Sequence, residues 1–127
     1  MSQENQNRVL VTVRTEFLPE RSDPSQNLWF YAYTITIRNA GTVGCKLLSR
    51  HWIITDATGR VEEVRGPGVV GQQPELAPGQ SHTYTSGCPL PTPVGSMRGS
   101  YQMVNFKGEA FEAEIPAFTL AQKYDIN

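Results

Sequence analysis

The chain has 127 residues, 39% of them hydrophobic and 18% charged, with a formal net charge of −1 from 11 Lys and Arg against 12 Asp and Glu. That length fits one domain, since single cores commonly run to about 100–150 residues, and a near-neutral charge with no long run of either sign lacks the basic footprint of a nucleic-acid or anionic-membrane binder. No apolar run approaches the about 20 residues of a membrane span and Met1 to Arg8 lacks the hydrophobic core of a signal peptide, so a cytoplasmic protein is expected, with neither nucleic acid nor membrane as partner.

Residues 1–7 are polar and expected to form a disordered tail, which leaves 8–127 as a single domain. Arg8 to Phe17 sets Val9, Val11 and Val13 against Leu10, Thr12 and Arg14, the period-two pattern of a half-buried strand. Pro19 to Asn27 is loop-like. Leu28 to Asn39 places Trp29, Tyr31, Tyr33, Ile35 and Ile37 on one face, the best-signalled strand of the chain. After a turn at Asn39-Ala40-Gly41-Thr42, Gly44 to Asp56 alternates less regularly, and a bulge within Leu48 to Trp52 accounts for the broken period. Asp56-Ala57-Thr58-Gly59 turns into a strand over Val61 to Arg65, and Gly66 to Gly79 is dominated by Gly and Pro. Ser81 to Ser86 is a short strand, and Pro89 to Gly95 a proline-broken loop. Met97 to Phe106 and Glu109 to Ile115 form a hairpin around Lys107-Gly108, with Tyr101, Met103 and Phe111 available for the core and Pro116 ending it.

About seven or eight short strands separated by turns, with no convincing helix, predict an all-β fold: an antiparallel β-sandwich of the immunoglobulin or fibronectin type III kind, with a partly open barrel as runner-up. Exposed strand edges are compatible with a monomer or a homodimer. Cys45 and Cys88 could pair if their strands meet, but a reducing compartment and an adequate core favour isolated thiols, and no C-x2-C spacing suggests zinc.

Residues able to do chemistry are few. His51 precedes Trp52 within a strand and reads as a surface or packing residue, with no carboxylate or second ligand supplied by the sequence for it or for His82. Ser49 and Ser81 lie near these histidines but outside any G-x-S-x-G elbow. Glu62-Glu63 and the Glu112, Glu114 pair suit a solvated sheet face better than a hard-cation site, which needs further oxygens from elsewhere. Trp29, Tyr31 and Trp52 divide between core packing, the favoured reading, and an exposed recognition patch. No catalytic residue, metal site or cofactor is assigned.

Gly66-Pro67-Gly68-Val69-Val70-Gly71 spells G-x-G-x-x-G, but prolines at 74 and 78 replace the helix that a dinucleotide-binding fold requires at that point. Two readings remain. The glycines could serve backbone geometry alone, or the loop could offer N–H groups as an anion nest, with Arg65 beside it as a phosphate partner; Arg65, Gly66, Gly68 and Gly71 are the candidate ligand-binding residues.

Leu47-Leu48-Ser49-Arg50-His51-Trp52-Ile53-Ile54-Thr55-Asp56, the 66–74 glycine stretch, Tyr84-Thr85-Ser86-Gly87 and Met97-Arg98-Gly99-Ser100-Tyr101 together resemble the signature blocks of the ApaG family, in order and over about Val9 to Leu120. The resemblance implies a fibronectin type III-like sandwich in a small bacterial cytoplasmic protein. It also implies a family tied genetically to cobalt resistance and magnesium efflux, whose gene often neighbours a diadenosine tetraphosphate hydrolase. Related eukaryotic domains are taken to mediate protein contacts. The family supplies no catalytic residue to carry over, and pyrophosphate binding has been suggested for its glycine motif, matched here at Gly66, Gly68 and Gly71. The expected function is a non-enzymatic module for a protein partner of unknown identity. The alternative is a binder of a phosphorylated small molecule, such as pyrophosphate or a nucleotide, with or without a divalent cation.

Overall fold

A computed structural model describes residues 6–122. Eight strands run in chain order: β1 (Val9–Phe17), β2 (Trp29–Asn39), β3 (Cys45–Asp56), β4 (Val61–Pro67), β5 (Glu75–Leu76), β6 (Ser81–Leu90), β7 (Gly95–Asn105) and β8 (Ala110–Leu120). They form two antiparallel sheets. One is ordered β1-β2-β6; the other is ordered β4-β3-β7-β8, with β5 pairing β3 beside it. Short 3-10 turns at Pro19–Arg21 and Pro24–Gln26 punctuate the predicted 19–27 loop.

Alternation builds the core. Tyr31, Tyr33, Ile35 and Ile37 from β2 face Leu47 and Trp52 from β3 and Met97, Tyr101 and Met103 from β7, all buried, and Val9, Val11 and Val13 pack from β1 as their spacing predicted. Trp52 is the hub, meeting Tyr33, Tyr101 and Phe118 edge-on at centroid distances of 5.4, 6.4 and 5.9 Å. Such pairs contribute about 0.5–1.5 kcal/mol each beyond the area they bury. The expected bulge lies between Leu47 and Ser49, and it lets Leu47, Arg50 and Trp52 all face inward despite an odd spacing. The sheets are also joined by a hydrogen bond of 2.5 Å between the buried hydroxyls of Tyr84 and Tyr101. Cys45 and Cys88 are buried free thiols; burial pushes both up, Cys88 to about 11, with the negative charge of Glu62 contributing at Cys88.

Several predicted boundaries are corrected. β6 continues past Ser86 to Leu90, with Pro89 opposite Phe30, and β8 continues through Pro116 to Leu120. Both are outermost strands, where a missing N–H disrupts no ladder on the solvent side, and Pro116 falls where the β7–β8 register shifts, between the Met97–Phe118 and Gly99–Ile115 pairs. The glycine- and proline-rich 66–79 segment contains β5, which the sequence pattern missed: two residues are too few to show a period, and β5 is fixed instead by pairing with Cys45 and Lys46 and by the buried Asn39 side chain donating to Leu76 O. Of the predicted tail, residues 1–5 lie outside the described residues. Gln6 and Asn7 are held, since Gln6 O accepts from Val43 N and Asn7 Oδ1 from Asn105 Nδ2, so backbone and amide groups at the 41–43 turn and in β7 tie them down.

Candidate functional site

The two lateral sides of the sandwich differ. Along one side β1 approaches β8; on the other, a cleft of about 520 Å³ lies between the β3–β4 wall and the end of β6. Its apolar lining includes Leu28, Trp52, Ile54, Val64, Leu90 and Met97, and its charged groups are Arg50, Asp56, Arg60 and Glu62. This volume falls within the range of about 300–1,000 Å³ usual for ligand sites.

Strand geometry positions the charges. Past the Leu48 bulge, Arg50, Trp52, Ile54 and Asp56 alternate toward the cleft from β3, and Glu62 and Val64 reach it from β4. Asp56 Oδ1 is occupied by its own turn: it accepts from Thr58 N, Thr58 Oγ1 and Arg60 N at 2.8, 2.7 and 3.1 Å. The Thr58 hydroxyl, followed by those backbone donors and the Arg60 charge, holds the Asp56 carboxyl below its usual range. Arg50 bends over Gly66, its partner in the β3–β4 register, and its Nη1 donates to Pro67 O at 2.9 Å and Gly68 O at 3.0 Å. A Cβ on Gly66 would stand 2.9 Å from both terminal guanidinium nitrogens, so a side chain there would displace the Arg50 guanidinium from its present seat. Trp52 is 2% exposed, and its Nε1 has no hydrogen-bond partner among the described residues. A buried donor left so costs about 1–3 kcal/mol.

The glycine loop is built as a hairpin. Val69 and Gln72 exchange both backbone hydrogen bonds, at 2.8 and 3.0 Å, around Val70 and Gly71 with φ of 47° and 77°. Positive φ at both central residues is the requirement of a type I′ turn. Gly68 N donates to Leu48 O at 2.9 Å, so the N–H groups of Gly68 and Val69 are committed within the fold, and Pro67 has none. The loop turns carbonyls, those of Pro67 and Gly68, toward the nearest cation. Of the candidate ligand-binding residues, Gly66 and Gly68 lie beside Arg50, and Gly71 closes the turn beyond them. Arg65 lies apart from them: it points to the outer face of the sheet, 73% exposed, 3.7 Å from Glu63.

That outer face also answers the question of a partner for His51. Its Nε2 lies 2.7 Å from Glu63 Oε1, across the β3–β4 pair. Ser49 Oγ donates to Gln102 Oε1 on the same sheet, and His82 stacks beside Tyr84 on the other. Glu112 accepts from Gln102 Nε2, and no three His, Cys, Asp or Glu side chains converge as metal ligands among the described residues. Tyr31 and Trp52 are core residues, as the packing reading expected. Arg50 was the residue overlooked. Its signal was its place two residues before a buried Trp on the same strand face.

The ApaG domain family profile matches residues 19–105. Relatives described as Protein ApaG include one from Pseudomonas paraeruginosa, 61% identical over 118 residues, spanning 93% of this chain and 94% of the relative. Another, from Beijerinckia indica, is 56% identical over 112 residues, spanning 88% and 86%. A crystal structure described as an ApaA protein from Bordetella pertussis superposes with a TM-score of 0.91 at 53% identity, covering 94% of this chain and 97% of that one. The resemblance read over about Val9 to Leu120 is thus matched along nearly the whole chain and its backbone, and the chain belongs to the ApaG domain family.

Proposed function

We propose that this protein is a non-enzymatic binding module that engages a protein partner. The observation that carries the reading is the glycine loop: its first N–H groups close a hairpin and bond Leu48 O, and its carbonyls face Arg50, so the stretch with the strongest motif serves as scaffold. An anion nest needs successive N–H groups turned outward. Rigid strands joined by short turns, with the exposed apolar residues Leu48, Val61, Val70 and Phe106 at strands and tips, suit recognition of another protein. A connection to cobalt resistance or magnesium efflux, which the family resemblance implies, would then be exerted through that partner.

The test is reconstitution. A protein captured on the immobilised module is purified and titrated against it; a saturable complex of fixed stoichiometry is expected. In parallel, pyrophosphate and nucleoside triphosphates are titrated by calorimetry with and without magnesium or cobalt. Saturable triphosphate binding that Arg65→Ala abolishes would replace this reading with the phosphate-binding one.

A further inference from the structure

Building on the interaction-module reading, we propose that the cleft between β4 and β6 docks an acidic side chain of an extended partner peptide. The carboxylate is received by Arg50, and the neighbouring apolar residues by Ile54, Val64 and Met97. Arg50 and Trp52 are consecutive inward positions of one strand. A guanidinium carries five N–H donors, of which only Nη1 finds acceptors among the described residues, and both of those are neutral carbonyls. No carboxylate lies within 4.0 Å of Arg50 among the described residues, so a half-buried cation has no carboxylate in direct contact. A single carboxylate on Arg50 offsets that deficit, since it accepts from two donors at once and matches a guanidinium fork.

Charge balance separates a carboxylate from a phosphate. Arg50 and Arg60 are matched by Asp56 and Glu62 around the same cleft, so a polyanion meets as much repulsion as attraction, whereas one carboxylate seated on Arg50 avoids the acidic rim. The architecture separates a peptide from a free acid. The cleft runs between the outermost strands of the two sheets, each with one side unpaired, and the backbone of an extended segment can pair there while its side chains reach the apolar floor.

The test titrates nitrogen-15-labelled protein with three probes. They are a blocked pentapeptide with a central glutamate between isoleucine and phenylalanine, its glutamine counterpart, and inorganic pyrophosphate. The Trp52 indole resonance is expected to move saturably with the first, and the glutamine peptide to bind at least about tenfold more weakly, the loss typical of a charged hydrogen bond. Arg50→Lys, which keeps the charge and loses the fork, is expected to weaken the glutamate peptide by a similar factor. Equal binding of the two peptides, a Trp52 signal unmoved at millimolar peptide, or a larger response to pyrophosphate overturns the proposal. These arms use the parent protein, so they decide the matter even if Arg50→Lys fails to fold. A reconstituted partner that binds Arg50→Lys as tightly as the parent removes the cleft and leaves the module reading standing. Peptide binding without any reconstituted partner does the reverse.

Discussion

Val70→Asn is expected to stabilise the domain, although it replaces an apolar residue by a polar one. Val70 occupies the first central position of the type I′ turn with φ of 47°, a left-handed conformation that costs an ordinary L-residue about 1–2 kcal/mol and is least suited to a β-branched side chain. Asparagine adopts that conformation readily and is favoured at this turn position. Against this stands lost burial. Val70 is 63% exposed, so of the about 1.5–3 kcal/mol that full burial of such a side chain contributes, roughly a third is at stake, about 0.5–1 kcal/mol. The net gain is about 0.5–1 kcal/mol, on the order of 2–4 °C in Tm for a chain of this size. Urea melts of parent and variant, compared by midpoint at unchanged slope, measure it. A variant less stable than the parent would refute the reasoning and place Val70 in contacts that outweigh its backbone strain.

Further outcomes follow from the core and its titrations. Tyr101→Phe and Tyr84→Phe should each cost about 1–3 kcal/mol by leaving a buried hydroxyl unpaired, while the double variant costs less than the two together; strict additivity in denaturant melts would contradict the inter-sheet hydrogen bond. Burial raises the Tyr33, Tyr84 and Tyr101 phenols above their ordinary value of 10.0, and the Cys88 thiol to about 11 from 9.0. Above the ordinary values the unfolded chain holds fewer protons than the folded one, so this stabilisation is complete below about pH 9 and is lost as pH rises, with a slope of up to about 1.4 kcal/mol per unit per group. Urea midpoints unchanged from about pH 8 to pH 11 would contradict it. Gly99→Ala should destabilise the domain, because its Cβ would collide with the His51 carbonyl oxygen in the adjoining strand, and overpacking of this kind costs about 1–3 kcal/mol or more; a melt within error of the parent would show that the β3–β7 pair yields freely.

What the sequence disclosed followed from how far each signal is local. The alternation in β1 and β2 records which side chains leave water, so both strands and their buried faces were legible, and the broken period of β3 located its bulge. Proline misled at both ends of the reading: its lost donor was taken to end a strand, whereas Pro89 and Pro116 sit in strands that end their sheets, a fact that belongs to the topology and not to the residues nearby. The glycine motif was visible, but its orientation was not, because hydrogen bonds from Gly68 N to Leu48 O and from Arg50 to the 67 and 68 carbonyls join segments about 20 residues apart. Arg50 and Trp52 could have been placed on one face by counting back from the tryptophan. That the face opens onto a cleft depended on how the two sheets diverge.

The prolines of β6 and β8 have a consequence for the protein in solution. A bare strand border is a template on which identical molecules can stack end to end into filaments, and each sheet here carries an interruption in one of its borders. Replacing Pro89 or Pro116 by valine would complete a row of donors, and slow polymerisation of concentrated samples is then the behaviour to watch for.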